Sequence, residues 1–201
     1  MLRRLKDFIF PQPICTAAEL CRFVSGQASY VAQRSTYEFS RNTLAWFGQA
    51  AFGDPKFNEV FAVCRWEAFA GIAADMVVVA RSLLAEVNDE GQLDAGLVKL
   101  YADVLGEYPN PVHRPEGWAD RHQALLARLA SAPASQAPDL SALGRATGAA
   151  IHEIAPAKAR NYGEERDVLA AAVTFGLVSF RDRADRLLQR DELARRLGPA
   201  A

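Results

Sequence analysis

Charge of one sign is missing from this 201-residue chain. Its 23 lysines and arginines stand against 24 aspartates and glutamates, for a formal net charge of −1. With no basic field to concentrate a polyanion, nucleic acid is not expected as a partner. Cysteine is scarce as well. Cys15, Cys21 and Cys64 are the whole complement. An odd set of three does not make a disulfide framework and reads as small hydrophobes in a reducing compartment. Long apolar runs are absent, because no segment reaches the roughly 18 uncharged apolar residues of a membrane span. At the N-terminus the only continuous apolar run is Phe8-Ile9-Phe10, which Pro11-Gln12-Pro13 ends. That is too short for the core of a secretory signal. These absences together give a cytoplasmic protein as the expectation.

Catalytic signatures are missing too. There is no Gly-x-Ser-x-Gly, no phosphate-binding glycine loop, no Cys-x-x-Cys and no His-Glu-x-x-His. The carboxylate-bridged metal centre of helical bundles needs a glutamate three residues before a histidine. Ala119 and Ala149 occupy those places before His122 and His152, and His113 sits in a proline-rich stretch. No metal and no cofactor is expected.

What the chain does have is helix. Half its residues are apolar, isoleucine and threonine are sparse, and no sustained apolar–polar alternation marks a strand. The basic, apolar segment 1–13 reads as a short amphipathic helix, with Leu2, Leu5 and Ile9 on one face. It is expected to dock on the core, with peripheral membrane contact through residues 1–10 as the lesser alternative. Thr16-Ala17-Ala18-Glu19 has capping-box spacing and opens a helix running to about Ala51, with a weak point at Ser25-Gly26. Asp54-Pro55 opens the next, to about Val87. Roughly 33 residues at 1.5 Å each make it near 50 Å long, the backbone of the fold. Further helices are expected at about Leu93–Tyr108, Gly117–Ala130, Asp139–Gly163 (with a kink at Pro156) and Glu164–Leu197. Residues 131–138 read as an exposed, mobile linker. Residues 181–201 read as a mixed-charge extension, either solvated or dimer-forming. Gly144 and Gly148 share a face and predict a close helix approach. The apolar run Val168–Phe180 belongs in the centre of a bundle. The fold class is therefore all-α: one helical domain over 1–201, a bundle of about seven helices built on three long ones.

Charges set into apolar stripes supply the candidate site. Tyr30, Arg34, Tyr37 and Arg41 follow three-four spacing and share a face, with Glu38 beside them. Glu67 and Asp75 lie eight apart in the apolar Asp54–Val87 helix, about 12 Å along its axis. That is too far for a direct acid–base dyad. Buried charges need partners, and the spacing predicts Arg34 and Arg41 against Glu67 and Asp75, with Glu38 between them. Two guanidinium forks also suit a phosphate or carboxylate. The leading expectation is a non-catalytic binding or regulatory protein acting through protein–protein contacts or self-association. One alternative is a binder of a small anionic or amphipathic ligand between the two helices that carry these residues. Another is an enzyme using Glu38, Glu67 or Asp75 as acid or base.

Overall fold

The computed structural model describes residues 12–45, 48–85, 90–157 and 162–197. Among them are eight helices and no named strand: α1 (Ala17–Leu44), α2 (Gly48–Phe52), α3 (Pro55–Leu84), α4 (Glu90–Gly106), α5 (Ala119–Ala130), α6 (Leu140–Ile154), α7 (Tyr162–Leu187) and α8 (Arg190–Leu197). The all-α class stands. The three long helices are α1, α3 and α7, of 28, 30 and 26 residues. The amphipathic segment over residues 1–10 lies outside the described residues. No helix among the described residues is long and apolar enough to cross a membrane.

Local chemistry explains the starts. Thr16 Oγ1 accepts from Glu19 N at 3.2 Å, and the Glu19 carboxylate accepts from the Thr16 and Cys15 N–H groups, so orphan donors at the head of α1 are satisfied reciprocally. Asp54 caps α3 ahead of Pro55, and Asp139 caps α6 through the N–H groups of Ser141 and Ala142. Gly26 does not interrupt α1, because Ser25 and Ala28 on either side of it are buried in the core. Tertiary packing there outweighs the small intrinsic penalty of glycine.

Three boundaries differ from the sequence expectation. The first long helix ends at Leu44, where Ala45 takes a positive φ of 45°, and α2 follows as a separate turn. The helix opened by Asp139 stops at Ile154, ahead of Pro156, because the residue before a proline is pushed out of the helical region. The last helix breaks at Leu188-Gln189. There Ile14 N donates to Leu187 O at 2.8 Å and Gln189 N donates to Ile14 O at 3.0 Å. The chain then turns back as α8, which buries Leu193 and Leu197 against α4. As far as Leu197, the mixed-charge tail thus ends in a packed helix with a charged outer side. The Ser131–Pro138 segment is likewise tied down. Ala134 is buried, and Ala132 O accepts from Arg81 Nη1 at 2.7 Å.

α6 lies along α7 in the most extensive helix pair, and α1 lies along α3 in the next. Gly144 and Gly148 make the first pair possible. A Cβ on Gly148 would stand 2.6 Å from Ala170 N, and one on Gly144 would collide with Thr174 and Ala170 O. The close approach forecast from their spacing is present. Gly148→Ala is expected to cost about 1–3 kcal/mol, since the obstacle is backbone and cannot rotate away. A urea titration checks it, and an unchanged midpoint contradicts the packing account.

The segment Val168–Phe180 departs from expectation. Leu169, Val173, Leu177 and Phe180 are buried, but Phe175 is 75% exposed and Val168 56% exposed. The helix is apolar all round, yet it is covered on one side only.

Candidate functional site

The sequence candidates fall into two places on opposite sides of α3. The first is the outer face of α1. Arg34 Nη1 donates to Tyr30 Oη at 2.8 Å and Arg34 Nε donates to Glu38 at 3.1 Å, all on one helix and all exposed. Tyr37 packs on Phe52, with ring centroids 5.3 Å apart, and Phe52 in turn meets Phe57 and Phe61. Arg41 is exposed in the last turn of α1, where its charge complements the helix dipole. This face borders two open grooves. One, about 560 Å³, runs between Tyr30, Arg34, Tyr37 and the α3 residues Phe61 and Arg65. The other, about 570 Å³, runs between Tyr30, Val31, Arg34 and the α7 residues Ala172, Phe175 and Gly176. Here α1 and α7 meet closely, since a Cβ on Gly176 would stand 2.7 Å from the Val31 methyls.

The second place is the buried side of α3, and here the pairing forecast is overturned. Neither Arg34 nor Arg41 is the partner of Glu67 or Asp75, and Glu38 does not stand between them. Arg34 turns outward to its own helix, whereas the two carboxylates face the 107–118 loop, α5 and α6. Glu67 Oε1 and Oε2 both accept from Arg114, Oε2 also accepts from Arg121, and His113 Nε2 lies 3.0 Å from Oε1. Arg114 further donates to Asp120 at 2.8 Å and lies 4.5 Å above the Trp118 ring. Local turns shape that loop: Arg114 N donates to Pro111 O, Gly117 N donates to Arg114 O, and Gly117 takes a φ of 87° that a side chain would disfavour. Asp75, at 1% exposure, accepts from Arg128 Nη2 at 2.7 Å and from Thr147 Oγ1 at 2.6 Å.

The two carboxylates respond oppositely to burial. Desolvation raises the pKa of Glu67, but hydrogen bonds from Arg114, Arg121 and His113 outweigh it and hold the carboxyl down at about 2. For Asp75 burial is the larger effect, and its pKa lies above the ordinary value despite Arg128 and Thr147. A carboxylate held as far down as Glu67 is a poor proton acceptor near neutral pH. The two buried thiols, Cys21 and Cys64, are also unsuited to nucleophilic work. Burial pushes Cys64 up to about 12, and burial with Glu107 nearby pushes Cys21 up to about 11. Ser35 donates its hydroxyl to Val31 O within its own helix. Among the described residues no group of three or more His, Cys, Asp or Glu side chains is arranged to hold a metal ion.

Sequence reasoning missed the partners His113, Arg114, Arg121, Arg128 and Thr147. Spacing could not have found them: Arg121 and Arg128 are seven apart on one face of α5, and Arg34 and Arg41 are seven apart on α1, so both pairs match Glu67 and Asp75 equally well. The buried pair Arg81–Asp94, with N–O distances of 2.6 and 2.7 Å, also went unread. Comparison of the chain with protein-family models, curated proteins and solved structures finds no match.

Proposed function

We propose that the protein is a non-catalytic helical binding protein that works through protein–protein contact at the α1/α7 face, with a second copy of this chain as the occupant. One observation carries the reading. Val168, Ala171, Ala172 and Phe175 form an exposed stripe on α7 with no charged residue among them. Beside it stands the exposed ring of Tyr30, which lines the same groove as Ala172 and Phe175. Contiguous apolar surface of this kind marks interaction sites, and aromatic residues and arginine are the types enriched there.

The face also has the self-complementarity that a two-fold interface needs. Phe175 is a ridge, and the groove next to it is floored by Ala172 and Gly176. Arg34 and Glu38 place both signs within one turn, so a two-fold axis passing between them sets each charge against its opposite in the other copy.

Sedimentation velocity across a concentration series tests this. The wild type is expected to run at twice the mass of one chain, and Phe175→Asp at the mass of one. Phe175 is an exposed residue, so the substitution leaves thermal stability nearly unchanged, while loss of a central aromatic anchor typically costs association 2 kcal/mol or more, roughly thirtyfold. A wild type that stays monomeric at every concentration, or a dimer untouched by Phe175→Asp, overturns the reading.

A further inference from the structure

Ile14 fixes the direction from which the chain reaches α1. Its N–H donates to Leu187 O and its carbonyl accepts from Gln189 N, so it pairs with Leu188 in the parallel sense. In a parallel pair, residues upstream on one side lie beside residues upstream on the other. Gln12 and Pro13 therefore stand on the side of the α7 body, and the chain before them is aimed back along that helix. From there Arg183, Ser179, Phe175, Ala172 and Val168 recur at intervals of three and four and make one track on α7. None of the five is buried, and the track ends in the exposed stripe that carries no charge.

Distance and pattern both fit. Phe175 is about 18 Å from Leu187 along the helix and Val168 about 29 Å. Residues 1–11, which lie outside the described residues, measure about 16 Å as a helix and about 36 Å extended. The shorter form, led by the non-helical Gln12-Pro13, already brings Leu2 level with Phe175. Leu2, Leu5 and Ile9 share one helical face, with Arg3, Arg4 and Lys6 off it. Such a face calls for an apolar surface to cover it. We propose that residues 1–11 pack along the α7 stripe of their own chain, with their apolar face against Phe175 and Ala172 and their basic residues in water. One consequence rests on the dimer reading: the segment occupies the surface that a second copy needs, and so weakens self-association.

Trypsin cleavage after Arg4 tests the docking in the full-length protein, at a concentration where sedimentation velocity finds only monomer. Cleavage samples the undocked population. Phe175→Ser removes the ring and adds no charge that the basic segment could meet. It is expected to speed the loss of residues 1–4, read by intact mass, at least about fivefold, with the melting temperature nearly unchanged. Equal rates in the two proteins overturn the proposal. So does protection that appears only at dimer concentrations, which places the segment on the second copy, or only with phosphatidylserine vesicles, which places it on a lipid surface. Competition is read separately. Leu5→Ser combined with Ile9→Ser is expected to tighten the dimer at least about tenfold, because the competent fraction of both copies rises. An unchanged dissociation constant overturns the competition. A wild type that is monomeric at every concentration removes the dimer reading and the competition with it, while the cleavage comparison still decides the docking.

Discussion

Replacing Arg81 with methionine lowers the stability of the protein by roughly 3–5 kcal/mol, the usual cost of stripping one partner from a buried ion pair. Arg81 is 6% exposed, and all three of its guanidinium nitrogens are engaged. Nε and Nη2 form a two-pronged pair with Asp94, and Nη1 donates to Ala132 O. One side chain thus ties together α3, α4 and the segment after α5. Methionine fills much of the same volume, so little of the loss is cavity. What remains is a mostly buried Asp94 carboxylate with no cation and a carbonyl with no donor. Adding Asp94→Leu to Arg81→Met is expected to recover a large part of the deficit, because the unpaired charge goes with it. Urea unfolding at neutral pH checks both variants, with a shifted midpoint and a preserved slope expected. The exposed pair Lys99–Asp103 supplies the contrast. Lys99→Ala is expected to change stability by less than about 0.5 kcal/mol, because both side chains are largely in water. A deficit below about 1 kcal/mol for Arg81→Met would show that the pair is solvated in solution.

Chain-local rules made the helix starts readable. Thr16 with Glu19, Asp54 with Pro55, and Asp139 each satisfy donors within a few residues of themselves, so their sequences suffice. The same holds for the Gly144/Gly148 approach, whereas at Pro156 a kink was expected and the helix stops instead at Ile154. The break at Leu188-Gln189 was not readable, because the groups that hold it belong to Ile14, more than 170 residues away. The candidate site divides along the same line. Periodicity correctly put Tyr30, Arg34, Tyr37 and Arg41 on one face of a helix, and it put Glu67 and Asp75 on an apolar helix that must bury them. It carried no information on which neighbour each face meets. Arg34 found acceptors at i−4 and i+4, the nearest available, and so had no need of α3. Glu67 drew two of its partners, His113 and Arg114, from a proline-rich loop whose three-dimensional course is set by turns rather than by any repeat, and the third, Arg121, from α5.

Glu67 and Asp75, two turns apart on one helix, are expected to pull the pH dependence of stability in opposite directions. Glu67 has its folded-state pKa lowered from 4.5 to about 2. The stabilisation it provides is fully present above about pH 4.5, where the unfolded chain is ionised as well, and is lost as pH falls toward 2. With its side chain 9% exposed, that amounts to roughly 2–3 kcal/mol after allowance for the water that reaches Arg121. Glu67→Gln removes the charge that Arg114, Arg121 and His113 converge on. The variant should therefore be less stable than the wild type by about that amount at pH 7, with the gap closing between pH 4.5 and 2. Asp75 has its folded-state pKa raised, chiefly by burial. Its neutral form is favoured in the folded protein, so its contribution is greatest in acid and declines as pH rises through the folded value. Asp75→Asn keeps an acceptor for Arg128 and discards a buried charge. It should cost less at pH 7 than Glu67→Gln and lose ground to the wild type as the solution is acidified. Urea midpoints of the three proteins from pH 7 to 2.5 separate the two carboxylates. A Glu67→Gln deficit that persists unchanged at pH 2.5 would mean that the lost stability comes from packing in the 107–118 loop and not from the ionised carboxylate.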